Sequence, residues 1–175
     1  SARAAEITKI AVNCYLTTKI TYANQVGEIM IRDGMEDEVS TVLKAIGGDS
    51  RIGTKYLNYG YGFGGPCFPR DNRAFAAYAS KAGVETPLGA TTDKFNDEHT
   101  NFLYDYYKKK NKDNLPYCFK YLTYKEGVDI LTESRPYDLA MSFINDGYDV
   151  YCLSSGKGLL IDPRIKFQTP TEPVC

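Results

Sequence analysis

Tyr59-Gly60-Tyr61-Gly62-Phe63-Gly64-Gly65-Pro66-Cys67-Phe68-Pro69-Arg70-Asp71 is too rich in glycine and tyrosine for a helix or a strand. It reads as a working loop, beginning near Asp49, and the chain on either side of it is patterned as helix. Upstream, residues 5–31 hold no proline and carry Ile7, Ile10, Ala11, Cys14, Tyr22, Val26 and Ile29 at helical spacing, with Gly34 as a stop. Residues 36–46 follow with Val39, Val42, Leu43 and Ile46 on one stripe, ended by Gly47-Gly48. Downstream, Asp71 suits the N-cap of a helix over 71–82 closed by Gly83. A fourth helix is predicted over 88–109, dissolving into the charged stretch 108–114, which marks a domain boundary and is otherwise a solvated face.

Beyond that boundary the period changes. Residues 117–124 read as a strand, 134–146 as a helix closed by Gly147, and 148–153 as a second strand. This is a βαβ unit with an expected right-handed crossover. The tail over 154–175 is predicted to hold little regular structure. The expected fold is mainly α: a helical domain over 1–110 followed by a partial α/β domain over 111–175.

At 175 residues the chain suffices for one large core or two small ones. The 21 Lys+Arg against 22 Asp+Glu argue against nucleic acid or an anionic membrane surface as main partner. No apolar run is long enough for a membrane span and no signal-peptide pattern opens the chain, so a soluble, cytoplasmic protein is expected. Five cysteines, Cys14, Cys67, Cys118, Cys152 and Cys175, are an odd number without a CxxC pair. They indicate neither a disulfide framework nor a metal site.

Cys67 is the strongest chemical candidate. It follows a glycine-rich turn and precedes a helix start, where backbone amides and the positive helix end favour a thiolate, and Arg70 adds to that field. Cys14, Cys118 and Cys152 lie in apolar patterns and read as inert packing residues. Lys9 and Asn13 are four residues apart on the first helix, on a face continued by Leu16 and Ile20, so they read either as a buried polar pair or as a lysine reaching out to the surface. Gly60, Gly62 and Gly65 satisfy G-x-G-x-x-G, but no apolar strand precedes them and Pro66 follows, so they are read as glycines that let the backbone approach a ligand, not as a dinucleotide fingerprint. His99, set among polar residues, reads as a surface histidine.

Taken together, Ala5-Glu6-Ile7-Thr8-Lys9 with Asn13, Arg51-Ile52-Gly53, Gly62 through Asp71, and Thr123-Tyr124-Lys125-Glu126-Gly127-Val128-Asp129 with Glu133-Ser134 resemble the UDP-glucose/GDP-mannose dehydrogenase family. The match runs in order over about residues 4–153, and Arg-Ile-Gly is typical of the UDP-glucose branch. The resemblance implies oxidation of the C6 alcohol of a nucleotide sugar, UDP-glucose, to a carboxylate with two NAD+, through a thiohemiacetal and a thioester on Cys67. It implies that Lys9 and Asn13 stabilise developing oxyanion charge and position sugar and water, and that Asp71 takes part in water activation. Arg51 matches an arginine that reaches the substrate of a neighbouring subunit. Tyr56, Asn58, Tyr61, Gly62, Phe63 and Gly64 match the sugar-nucleotide loop, Tyr124 and Lys125 an aromatic-lysine pair at the substrate, and Cys67, Phe68, Pro69 and Arg70 the approach of the nicotinamide.

The first helix matches the family's dimer core, so a homodimer is expected. The sequence departs from the family pattern in three ways. No dinucleotide-binding domain precedes the first helix and the C-terminal domain stops after one βαβ unit, so a fragment is expected. Thr132 stands where an arginine contacts NAD, and Arg70 replaces a lysine. The competing expectation is a non-catalytic dimerisation or UDP-sugar-binding fragment that does not grip NAD itself.

Overall fold

Helix α1 (Ala2–Arg32) runs through the whole proline-free opening of the chain. The Ser1 hydroxyl caps it by accepting from the Ala4 amide, and Arg32 complements the dipole in the last turn. The computed structural model describes residues 1–85, 87–154 and 158–167. It places them in two units, one of Ser1–Phe63 with Cys67–His99, the other of Gly64–Pro66 with the chain from Thr100 onward.

In the first unit a 3-10 turn (Glu36–Glu38) leads into α2 (Val39–Gly47). Val39 and Leu43 of α2 pack with Ala23 and Met30 of α1 and with Leu57 to make an apolar core. The inner face of α1 is otherwise small or polar: Cys14, Thr17, Asn24 and Gly27 are buried. Val12, Tyr15, Tyr22 and Ile29 lie on its exposed surface instead.

Helix α3 (Phe68–Lys81) starts three residues earlier than the sequence pattern indicates. Cys67, not Asp71, occupies the N-cap position, because Pro69 fits the first turn, where its missing N–H costs nothing. Asp71 lies inside that turn, its amide donating to the Cys67 carbonyl at 2.9 Å. Helix α4 (Leu88–Lys110) gives its first half to one unit and its second half to the other.

The second unit holds a parallel sheet in the order β1-β2-β3, with β1 (Tyr117–Phe119), β2 (Val150–Cys152) and β3 (Lys166–Phe167). Tyr117 pairs with Val150 and Tyr151 with Lys166. Helix α5 (Arg135–Asn145) buries Leu139, Ala140, Phe143 and Ile144, and the Phe143 ring stacks on Tyr117 at 3.6 Å. The fold is thus mainly α with a small parallel α/β portion, as the patterning indicates.

One expected boundary is corrected. The strand expected to reach Tyr124 ends at Phe119, because the chain then turns on itself: the Ser134 hydroxyl donates to the Leu122 carbonyl at 2.5 Å and the Tyr124 amide to the Ile130 carbonyl. Of the tail, expected to hold little regular structure, the described residues form one two-residue strand, β3, next to buried Ile165. Residues 168–175, with Cys175, lie outside the described residues. Among the described residues no helix is long and apolar enough to cross a membrane.

Gly27 shows packing overriding propensity. A methyl there would overlap the Tyr59 ring. Helix propensity alone makes Gly27→Ala stabilising by about 1 kcal/mol, but overpacking of this kind costs about 1 to 3 kcal/mol. Net destabilisation is therefore expected, read as a lower urea midpoint.

Candidate active site

Three side chains converge where α1 crosses α3. The Asp71 carboxylate is buried, and one of its oxygens accepts from Lys9 Nζ at 2.5 Å and from Asn13 Nδ2 at 2.6 Å. The four-residue spacing of Lys9 and Asn13 stacks them on one face of α1, so a single acceptor serves both. The other oxygen accepts from the Arg70 guanidinium at 3.2 Å. Burial by itself pushes the Asp71 carboxyl up, yet the hydrogen bonds from Lys9, Asn13 and Arg70, with the Lys9 charge, hold it below the ordinary carboxylate value. Lys9 combines both sequence readings: its side chain is 57% exposed while its head is tied to a buried partner. An ammonium has three donors, which leaves capacity to meet a ligand oxygen from the solvent side.

Cys67 precedes Asp71 by one helical turn and is exposed at the start of α3, whereas Cys14 and Cys152 are buried. Burial, then the negative charge of Asp71, pushes the Cys14 thiol up to about 11, and its sulfur lies 3.6 Å from the Asp71 carbonyl. Burial likewise raises the Cys152 thiol. Phe68 packs edge-on against both Tyr56 and Phe63, pinning the cysteine-bearing turn to the preceding loop. Of the four residues assigned to the nicotinamide approach, Cys67 and Arg70 are exposed and Phe68 is half-buried, but Pro69 is buried and faces the protein.

The loop through Asn58, Tyr61, Gly62 and Phe63 is fastened by side chains that sequence reasoning passed over. The Asn24 carbonyl oxygen accepts from the Gly60 amide at 2.9 Å, and Asn96 both accepts from the Phe63 amide and donates to its carbonyl, at 2.9 and 2.8 Å. His99 is not a surface residue. It is wholly buried, with Nδ1 at 2.6 Å from a Glu28 oxygen and Nε2 at 2.7 Å from the Gly60 carbonyl. The available signal was spacing: Asn24 and Glu28 are four apart on α1, and Asn96 and His99 three apart on α4, which gives each pair one face.

The glycines also need a different account. Gly62 has φ +98° and its open side is filled by Asn96, while Gly65, at φ +81°, lies under the Tyr124 ring. These two glycines accommodate the protein's own side chains.

In the second unit, Gly64 fits beneath the Glu133 carbonyl and the Gly65 amide donates to the Thr132 carbonyl at 3.0 Å. Tyr124 is half-buried and Lys125 exposed, its carbonyl accepting from the Thr123 hydroxyl. In the first unit, Arg51 pairs with Asp49 within its own turn, while Lys19 binds the Ile52 and Gly53 carbonyls and fixes that turn to α1. Asn58 and Tyr56 are exposed.

The chain as a whole has known relatives. The central domain of the UDP-glucose/GDP-mannose dehydrogenase family matches residues 3–98, more than half of the chain, and the chain belongs to that family. UDP-glucose 6-dehydrogenase AglM of Haloferax volcanii is 34% identical over 147 residues, covering 83% of this chain and 34% of the relative. The GDP-mannose 6-dehydrogenase of Pseudomonas savastanoi pv. phaseolicola is 32% identical over 155 residues, 86% of this chain and 34% of its own length. Among solved structures, a UDP-glucose dehydrogenase from Pyrobaculum islandicum superposes with a TM-score of 0.83 at 28% identity, over 95% of this chain and 40% of that one. The chain thus spans about a third of the curated relatives AglM and GDP-mannose 6-dehydrogenase.

Two predictions follow from the geometry. A maleimide reagent added to the folded protein labels Cys67 before Cys14 and Cys152, a ranking read by peptide mass spectrometry. Because the folded state holds Asp71 below the ordinary carboxylate value of about 3.9, its contribution to stability is complete above that pH and lost as pH falls through the folded value. The urea midpoints of wild type and Asp71→Asn are therefore expected to differ at pH 6 and to draw together as the pH falls below the ordinary carboxylate value.

Proposed function

We propose that this chain is the cysteine-bearing portion of an NAD-dependent nucleotide-sugar dehydrogenase acting on UDP-glucose. The observation that carries the reading is the Lys9, Asn13 and Asp71 cluster, one helical turn from an exposed Cys67, within a chain of this family. The relatives named for UDP-glucose support the substrate.

In this reading the Cys67 sulfur adds to the C6 carbon of the sugar aldehyde formed in the first oxidation. The carbonyl π pair moves to oxygen, and Lys9 and Asn13 stabilise the resulting negative charge. When bound, NAD+ would supply the hydride acceptor for the two oxidations, and the second would leave a thioester on Cys67. Water held near Asp71 then attacks the thioester carbon, the C–S bond breaks, and the carboxylate product UDP-glucuronate leaves with the thiol restored. Cys67 and Arg70, exposed at the start of α3, are the residues of this chain best placed to meet the nicotinamide end. Residues 58–64 would hold the sugar-nucleotide, and Arg51 would serve a neighbouring subunit.

A homodimer fits the same reading. Val12, Tyr15, Tyr22 and Ile29 repeat at three- and seven-residue intervals along the exposed surface of α1, which is the spacing of a helix seam. The second reading, a fragment that binds UDP-glucose without oxidising it, is favoured by one feature: the G-x-G-x-x-G spacing at 60, 62 and 65 follows no strand and so cannot cradle a pyrophosphate.

The test is NADH formation at 340 nm from UDP-glucose and NAD+, beside calorimetric binding of UDP-glucose. Turnover is expected, abolished by Cys67→Ser and lowered about 100- to 1,000-fold by Lys9→Ala, with a much smaller loss of stability. Binding without turnover supports the fragment reading, and absence of both overturns the two together.

A further inference from the structure

The loop over residues 58–64 is held by an unusually polar piece of interior. Asn24, Asn96 and His99 are 1%, 2% and 0% exposed, and between them they take the amide and the carbonyl of Gly60 and the amide and the carbonyl of Phe63. Tyr61 and Gly62 form the span between two clamped residues. A carbonyl oxygen can only accept, so His99 must carry a proton on Nε2, and the Glu28 oxygen at 2.6 Å from Nδ1 fixes the orientation of the ring. The ring is walled by Tyr59, edge-on at 5.6 Å, and by Phe95, stacked at 6.1 Å. Glu28 has Arg32 at 3.8 Å from its other oxygen. A Cβ built on Gly60 meets nothing within 4 Å among the described residues.

Beside an apolar core of Ala23, Met30, Leu43 and Leu57, burying three polar side chains is a poor route to stability. What such a network supplies is one fixed backbone conformation. We propose that His99, oriented by Glu28, is a positioning residue that sets the backbone of residues 60–63 for the nucleotide sugar, so that it governs substrate affinity without touching the reacting atoms. The inference rests on residues 58–64 being the sugar-nucleotide loop.

The chosen variants are His99→Phe, which keeps the aromatic volume and removes the donor, and His99→Gln, which keeps a donor for the Gly60 carbonyl. Glu28→Gln is added because its amide can donate to Nδ1 and leave Nε2 protonated. In the full chain without ligand, nitrogen-15 spectra should show His99 protonated at Nε2 in wild type and in Glu28→Gln. Amide hydrogen exchange at Gly60 and Phe63 should quicken about tenfold in His99→Phe and stay within about threefold of wild type in His99→Gln, with α3 amides unchanged as a control on folding. Calorimetric affinity for UDP-glucose should follow the same order, about tenfold weaker in His99→Phe and restored in His99→Gln.

Unchanged exchange in His99→Phe overturns the clamp. Faster exchange with unchanged affinity overturns the positioning role. A loss of affinity that His99→Gln fails to restore also overturns it, since the donor would then not be the cause. A wild-type chain that binds no UDP-glucose overturns the substrate reading and the affinity role with it, while the exchange rates still decide the clamp by themselves.

Discussion

One carboxylate ties the two helices that matter most to this chain. Asp71 lies almost wholly out of water, and an anion there is tolerated because donors from Lys9 and Asn13 converge on one oxygen and Arg70 meets the other. The consequence is geometric. A buried anion with two partners on α1 leaves α3 little freedom to slide or turn, so the start of α3, and the cysteine that caps it, is fixed relative to the cation and the amide. Removing one partner strands the charge, which is why the cluster behaves as a unit.

The first unit is therefore held by two kinds of contact with different consequences. Ala23, Met30, Val39, Leu43 and Leu57 supply ordinary apolar burial, non-directional and tolerant of small shifts. The polar set is directional: Asn24, Asn96 and His99 bond the backbone of the loop, and Asp71 of α3 bonds Lys9 and Asn13 of α1. The apolar set can hold the helices together, but only the polar set can specify where a glycine-rich loop and a helix start must lie.

Much of this was legible in the sequence, for physical reasons that differ by element. Helix α1 was readable because a proline-free stretch with apolar residues at helical spacing leaves few alternatives. Cys67 stood out because glycine and proline flank it on a helix boundary. The role of Asp71 was misread locally, since an aspartate near a helix start looks the same whether it caps that helix or accepts from another, and only tertiary contact separates the two. His99 was hidden by its neighbours: Asp97 and Glu98 are exposed, yet the helical turn carries Asn96 and His99 to the inner face. Strands of two or three residues leave too short a pattern to bound, so β1 was read too long and β3 not at all. The glycines were recognised as points of close approach, but what approaches Gly62 and Gly65 is Asn96 and Tyr124.

The account rests on the attraction between Lys9 and Asp71, and a double-mutant cycle measures it most directly. Lys9→Met, Asp71→Asn and the double variant are unfolded in urea at pH 7 and the coupling free energy is extracted. Contacting charged groups in such cycles give about 0.5 to 3 kcal/mol, and the half-exposed Lys9 puts this pair toward the low end, near 1 kcal/mol. A coupling of that size is the expected result; strictly additive effects of the two substitutions would contradict the account, because Cys67 would then owe its place to something other than this ion pair.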